Sequence, residues 1–364
     1  MPTSMRAAVA YPDGGVQIRD AWLDDPRADE VRVRVEACGI CATDLEARHL
    51  VELPAVFGHE GVGVVEEVGR EVQAVRVGDR VIVSYPWCGA CPHCCGDRPF
   101  HCDDIVRLKF AGSRADGSRP ISVDGRAVAS AFFQQSTFAT HANVPARDLV
   151  VVDSNLPCEL LAALPCGVLT GAGTVANVLQ VKRQDALLVA GVGAVGLAAV
   201  MTARRLGVRS IVAIDIHPSR RSLASELGAH HALDGRAADL PAQLRAIEPR
   251  GFDAVLDTTG RAPVIATLIE HLTMGARLAL VTTPPPTAAP VFPLESLFYR
   301  AATLCSVIVG LAVPQRFLPQ LLEWYRAGEF PVDRLVQPFP FEQIEAAFAA
   351  MASGAVVKPV LTMA

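Results

Sequence analysis

Ala186-Leu-Leu-Val-Ala190-Gly191-Val-Gly193-Ala-Val-Gly196-Leu-Ala-Ala-Val-Met-Thr-Ala203 is the stretch whose reading decides the fold. It runs 18 residues without a charge, which just meets the length rule for a membrane helix. Three glycines in turn-like spacing interrupt it, and Arg204-Arg205 ends it. A buried strand over Ala186–Ala190, a tight turn and a helix over Val195–Leu206 account for it better than a membrane span. G-x-G-x-x-G is weak alone. Here it follows an apolar strand, opens a helix, and has Asp215 19 residues after its last glycine. That context marks a dinucleotide site, with the helix N-terminus favouring a pyrophosphate. Gly191, Gly193 and Gly196 are therefore candidate cofactor contacts. Asp215 can accept from both ribose hydroxyls and repels a 2′-phosphate, which favours NAD over NADP. Arg220 and Arg221, close behind, soften that preference.

Downstream the pattern alternates. Strands are expected at 210–215, 254–258 and 277–282, and helices at 219–227 and 262–272. Such alternation means a parallel sheet with crossover helices, the doubly wound Rossmann arrangement. Upstream the chain reads differently. Val31-Arg-Val-Arg-Val35 alternates strictly, as a half-buried strand should, and Gly61–Val65 and Arg80–Val83 are further strands. This region is expected to form a twisted, partly barrel-like β domain. The tail returns to a third style, with helices at 317–326 and 341–353 and a strand at 356–362. The reading is an α/β protein in which residues 168–308 form the dinucleotide-binding domain. Residues 1–167 and 309–364 form the other domain.

The bulk properties narrow the function. The 364 residues are 51% hydrophobic and 20% charged, an ordinary globular composition. A net charge of −5 offers no basic footprint for nucleic acid or an anionic membrane. Lys109, Lys182 and Lys358 are the only lysines among 33 basic residues. Nothing at the N-terminus has a signal-peptide pattern, so the ten cysteines are expected to be reduced thiols in a cytoplasmic protein.

Four of those cysteines, Cys88, Cys91, Cys94 and Cys102, lie in CGACPHCCGDRPFHC. Four thiolates at these spacings can close a tetrahedron around Zn²⁺ with no open position, which makes a structural site. Cys95 competes with Cys94 for the third place.

The motifs coincide with a family. The chain resembles the zinc-containing medium-chain alcohol dehydrogenases over essentially its whole length. The resemblance is carried by Gly39-Ile-Cys41-Ala-Thr43-Asp44, Gly58-His59-Glu60, the four-cysteine lobe, Pro165-Cys166-Gly167 with Thr170, the glycine loop and Asp215. Within the family it looks most like the aryl-alcohol branch, which also takes allylic and terpenoid alcohols. Phe132–Thr140, Phe110–Arg114 through Pro120, Pro284-Pro285-Pro286 and Gly354–Leu361 carry that closer likeness.

The resemblance implies a GroES-like catalytic domain beside the Rossmann domain, two zinc ions per chain and NAD. It also implies a small-molecule alcohol or aldehyde substrate and a homodimer or homotetramer. Cys41, His59 and Cys166 match the catalytic zinc ligands. Spacing alone does not single them out, and His59 taken alone reads as a structural histidine. Glu60 lies beside that zinc, Asp44 orients the histidine, and Thr43 takes the substrate proton. Val195, Thr170, Arg220, Arg261 and Lys358 match cofactor contacts. Phe132 and Phe133 are candidate walls of the substrate pocket, with core packing as the plain alternative.

Two positions depart from the family. Ala42 stands where many relatives have Arg or His touching the pyrophosphate. Glu46 stands where many have the histidine that ends the proton relay. Glu46 can serve as a base or be an ordinary solvated carboxylate. Rival readings are a polyol dehydrogenase or ketone reductase of the same fold, and a catalytically silent NAD-binding protein with structural zinc only.

Overall fold

A computed structural model describes residues 2–152, 155–282 and 293–363. The prolines at 284–286 lie outside the described residues. Ten strands come first: β1 Thr3–Ala10, β2 Val16–Leu23, β3 Glu30–Gly39, β4 Ala55–Val56, β5 Gly61–Val68, β6 Arg80–Val83, β7 Ile121–Val123, β8 Arg126–Ala127, β9 His141–Pro145 and β10 Leu149–Val151. Six follow in the middle: β11 Ala186–Ala190, β12 Ser210–Asp215, β13 His231–Asp234, β14 Phe252–Asp257, β15 Leu272–Leu280 and β16 Thr303–Ser306. Two close the chain: β17 Val336–Pro340 and β18 Lys358–Thr362.

The chain divides into two compact units. One comprises 1–166, 313–320 and 333–364, the other 167–312 and 321–332. The first unit holds two sheets. One has the order β4-β1-β2-β7-β8. The other runs β10-β6-β5-β3-β18-β17, with β9 also paired to β3, and bends into a partial barrel. The tail strand β18 pairs antiparallel with β3 through Val360–Gly39 and Thr362–Ala37. β3 is thus the spine of its sheet, and its register against β5 slips between Arg32 and Val33 and again between Val35 and Ala37. Such bulges bend a strand and raise its twist. Val31, Val33 and Val35 face a valine-rich core.

Strict alternation puts Arg32 outward, and the structure corrects this. Arg32 is buried, held by Glu67 at 2.7 Å and by the Asp24 carbonyl at 2.8 Å. A charged group inside is tolerable only with such partners.

The second unit has one parallel sheet in the order β13-β12-β11-β14-β15-β16. Strand order reverses between β11 and β14. Doubly wound sheets bind ligands at such a switch point, beyond the C-terminal strand ends, and the glycine loop follows β11 there. Leu188, Val212, Val255 and Leu278 of successive strands pack with Ile265, Leu268 and Ile269 of the helix Ala262–Glu270.

Several boundaries differ from the sequence reading. The helix expected at 262–272 stops at Glu270, and the strand expected at 277–282 spans Leu272–Leu280. Gly275, with φ +72°, turns the chain inside that strand. The tail helix expected from residue 341 begins as a 3₁₀ turn, Phe341–Gln343, and becomes α-helical over Ile344–Ala352. The charge-free stretch 186–203 is β11, a turn and part of the helix Ala194–Arg205. Among the described residues no helix is long and apolar enough to cross a membrane.

Candidate active site and metal centres

Cys41 leaves β3 and caps the helix Ala42–Glu46. Asp44, in the first turn and fully buried, accepts from the Cys41 amide at 2.9 Å and the Gly58 amide at 3.2 Å. Its Oδ1 also lies 2.8 Å from His59 Nδ1. One carboxylate thereby fixes the Cys41 turn, the loop before His59, and the His59 ring itself. With Nδ1 turned to Asp44, Nε2 is the free nitrogen. It is buried and has no partner among the described residues. Cys166 Sγ lies 4.0 Å from Cys41 Sγ. Donor atoms of Cys41, His59, Glu60 and Cys166 all fall within 4.8 Å of one another. Zn–S bonds of about 2.3 Å place two tetrahedral sulfurs about 3.8 Å apart. The donor set and the orphaned imidazole nitrogen both fit a zinc ion.

The electrostatics agree. Burial opposes charge on the His59 ring, yet the Asp44 carboxylate outweighs it and raises the ring to about 10. Contact between the two thiols drives them apart: Cys41 falls well below its ordinary value and Cys166 rises well above. A cation added here replaces protons on nitrogen and sulfur. Glu60 and Lys358 are both buried and ion-paired, and Lys358 Nζ also donates to the Ile40 carbonyl at 3.2 Å. Burial pushes the Glu60 carboxyl up to about 7 against the pull of Lys358. The Lys358 ammonium is therefore committed inside the unit that carries the cluster. Thr43 Oγ1 lies 3.6 Å from Cys41 Sγ, and Glu46 is exposed at the end of the same short helix.

The second cluster joins Cys88, Cys91, Cys94 and Cys102. Cys91 caps the short helix Pro92–Cys95, whose Pro92 suits a first turn. Backbone amides point at the sulfurs: Cys88 Sγ accepts from Cys91 N at 3.3 Å, and Cys102 Sγ accepts from Cys88 N at 3.2 Å. Cys88 and Cys94 sulfurs are 3.8 Å apart, the tetrahedral spacing. Cys95 is exposed, stands outside the cluster and faces the Ala90 carbonyl.

In the glycine loop each glycine has its own reason. Gly191 has φ +83°, and a Cβ there would meet Thr258 Oγ1 at 2.3 Å. A Cβ on Gly196 would meet the Gly191 carbonyl at 2.1 Å, so the helix packs tightly on the turn. At Gly193 only Arg220 Nη1 comes within 4.0 Å, which leaves room for a phosphate to approach the backbone. Asp215 is buried and accepts from Val192 N and His217 N, each at 2.8 Å. It braces the loop as well as ending β12. Val195 is the second residue of the helix Ala194–Arg205, and Arg261 caps the helix Ala262–Glu270. Thr170 is buried in the helix Leu169–Gly173.

Residues 27–154 match the alcohol dehydrogenase GroES-like domain, and residues 194–327 match the zinc-binding dehydrogenase family. The geraniol dehydrogenase of Castellaniella defragrans is 41% identical over 98% of this chain and 97% of its own length. The chain belongs to the zinc-binding alcohol dehydrogenase family. Two solved structures of similar proteins cover both chains fully. The zinc-binding-domain alcohol dehydrogenase of Burkholderia ambifaria superposes with a TM-score of 0.97 at 39% identity. The benzyl alcohol dehydrogenase of Acinetobacter calcoaceticus gives 0.95 at 34%.

Beside the dehydrogenase's Cys41–His59–Cys166 cluster stands an aromatic wall. The Phe133 ring lies flat on the His59 imidazole, centroids 4.3 Å apart and planes 25° apart. Phe132, fully buried, packs edge-on to Phe57 at 5.0 Å and tilted against Phe133. Phe110 meets both. The segment is strained: Ala131, Phe133, Gln134 and Ser136 all have φ between 52° and 57°. Such backbone persists only when its surroundings hold it. Here Gln134 Nε2 donates to the Leu108 and Ser113 carbonyls, and Ser136 Oγ donates to the Val56 carbonyl. The bond to Leu108 ties this segment to the helix Ile105–Phe110, whose Lys109 the sequence reading passed over. The scarcity of lysine was the one available signal, since two of the three lysines are buried in this unit.

Proposed function

We propose that this dehydrogenase transfers a hydride between a primary aromatic or allylic alcohol and NAD, forming the aldehyde, NADH and a proton. The observation that carries the proposal is the group of Phe110, Phe132 and Phe133 packed beside His59, which gives the candidate cluster an apolar, aromatic surface. A planar, unsaturated substrate matches such a surface better than a short aliphatic one. The names of the relatives support the reading, since geraniol and benzyl alcohol both have unsaturation next to the reacting carbon.

Zinc supplies Lewis acidity to a hydroxyl oxygen, and nicotinamide supplies the hydride acceptor. The chain supplies the rest. Cys41, His59 and Cys166 hold the cation, and Asp44 fixes the imidazole so that Nε2 points inward. Glu60, buried and paired with Lys358, sets the charge beside it. Thr43 accepts the alcohol proton and hands it towards Glu46, which takes the place of a relay histidine. Gly191, Gly193 and Gly196 form the pyrophosphate cradle with Arg220, and Asp215 accepts from the ribose hydroxyls. Val195, Thr170 and Arg261 are proposed as further cofactor contacts, while Lys358, which the family resemblance also offered, is engaged by Glu60 and the Ile40 carbonyl. The ten unbridged cysteines suit a reducing cytoplasm. Exposed Leu294, Phe298 and Tyr299 suit a homodimer or homotetramer.

The test is a panel of benzyl, cinnamyl, geranyl and short aliphatic alcohols, each with NAD⁺ and with NADP⁺, followed by reduced-cofactor absorbance. Turnover of the unsaturated alcohols with NAD⁺ is the expected result. Preference for polyols or for NADP⁺ would overturn it.

A further inference from the structure

Lys109 sits in the helix Ile105–Phe110 and is 8% exposed. Its ammonium has no hydrogen bond or ion pair among the described residues. Its contact is with a ring: Nζ lies 5.3 Å from the centroid of Phe133, the same ring that stacks on His59. Burial pushes Lys109 down to about 8, against the opposing pull of Cys166 and Cys41. A ring face attracts a cation and offsets part of the lost hydration, but it gives no acceptor to three N–H donors. An ammonium whose protein contact is a ring takes its hydrogen bonds from solvent or from a bound ligand, and a ligand acceptor that displaces that solvent is favoured beside an otherwise apolar wall. The surroundings are built to hold it there. The helix Ile105–Phe110 is tied through Leu108 to Gln134, inside the strained segment that carries Phe133.

We infer that Lys109 is a specificity-determining residue whose ammonium receives a hydrogen-bond-accepting substituent, a carboxylate being the strongest, on an aromatic alcohol substrate. The inference rests on the aromatic-alcohol reading above. The alcohol end of such a substrate occupies the Cys41–His59–Cys166 cluster, its ring lies along Phe133, and its substituent meets Lys109. Plain benzyl alcohol would offer the ammonium no such acceptor. A site built around a polar contact discriminates against an analogue that lacks it.

The test uses the zinc-loaded enzyme, as wild type and as Lys109→Met and Lys109→Arg. Substrates are ethanol, benzyl alcohol and the meta and para isomers of (hydroxymethyl)benzoate. For the better isomer, the ratio of its kcat/KM to that of benzyl alcohol is expected to fall roughly 10- to 100-fold in Lys109→Met, mainly through KM. Lys109→Arg, which keeps the charge, retains more of the ratio. Calorimetric titration with the matching formylbenzoate should show the same weakening without turnover. A merely structural lysine would lower both aromatic substrates together and leave the ratio alone, and an unchanged ratio in Lys109→Met overturns the assignment. If wild type prefers ethanol to both benzyl alcohol and the benzoates, the aromatic-alcohol reading fails, and this inference fails with it.

Discussion

Asp44 and His59 form one unit: the carboxylate Oδ1 stands 2.8 Å from the ring Nδ1, and both side chains are out of solvent. The same carboxylate caps the turn at Cys41. Asp44→Asn keeps the shape but loses the charge that favours a donating Nδ1. Zinc affinity at this site should fall about 10- to 100-fold, with activity falling alongside. Competition against a chromogenic chelator measures it, and unchanged affinity would mean Asp44 only shapes the loop.

The two clusters should fail differently. Cys41→Ser or Cys166→Ser should abolish turnover and leave a folded protein with about one zinc per chain. Cys91→Ser should damage folding, because a closed site contributes folding energy. Cys95→Ser should keep its full metal content. Equal loss of solubility across the Cys41, Cys91 and Cys166 variants would remove the division between catalytic and structural sites.

Asp215 braces Val192 and His217 besides ending β12. A carboxylate has acceptor capacity left for ribose hydroxyls after two amide bonds. Asp215→Ser should raise KM for NAD⁺ by roughly 10- to 150-fold and narrow the preference over NADP⁺. Equal efficiency of the unmodified enzyme with both cofactors would refute the argument.

Metal uptake at the Cys41 cluster should depend on pH with a definite sign. His59, raised to about 10, carries a proton at neutral pH before zinc binds. Cys166, raised well above its usual value by contact with Cys41, carries another, whereas Cys41 is held well below its usual value. Zinc must displace both, so about two protons leave per ion and affinity rises with pH. Zinc titration of the chelator-stripped protein in a weakly buffered indicator dye counts them. Release of none at neutral pH would contradict the assignment of these ligands.

The parallel sheet was legible because its signals are local. An apolar run, a glycine turn and a helix start all lie within Ala186–Ala203. The four-cysteine lobe is compact in the same sense. Cys41, His59 and Cys166 come together across 125 residues of chain, and only family resemblance pointed to them. Arg32 was misplaced because alternation reports strand geometry and cannot see a partner such as Glu67 arriving from β5. The positive φ angles at Ala131, Phe133, Gln134 and Ser136 were also invisible, since none of these residues is glycine. Its conformation is held by distant carbonyls at Val56, Leu108 and Ser113. Lys109 stands out in the sequence only as one of three lysines, because its position depends on where Phe133 is held.

The central claim is that a flat aromatic wall beside the Cys41–His59–Cys166 cluster selects a benzylic or allylic alcohol. A ring buries on the order of 100 Å² more apolar surface than an ethyl group, which favours it by roughly 2–3 kcal/mol before ordering costs. Steady-state kinetics on benzyl alcohol and ethanol, with NAD⁺ at one pH, test this most directly. The account predicts a kcat/KM for benzyl alcohol nearly two decades above that for ethanol. A higher value for ethanol would contradict it.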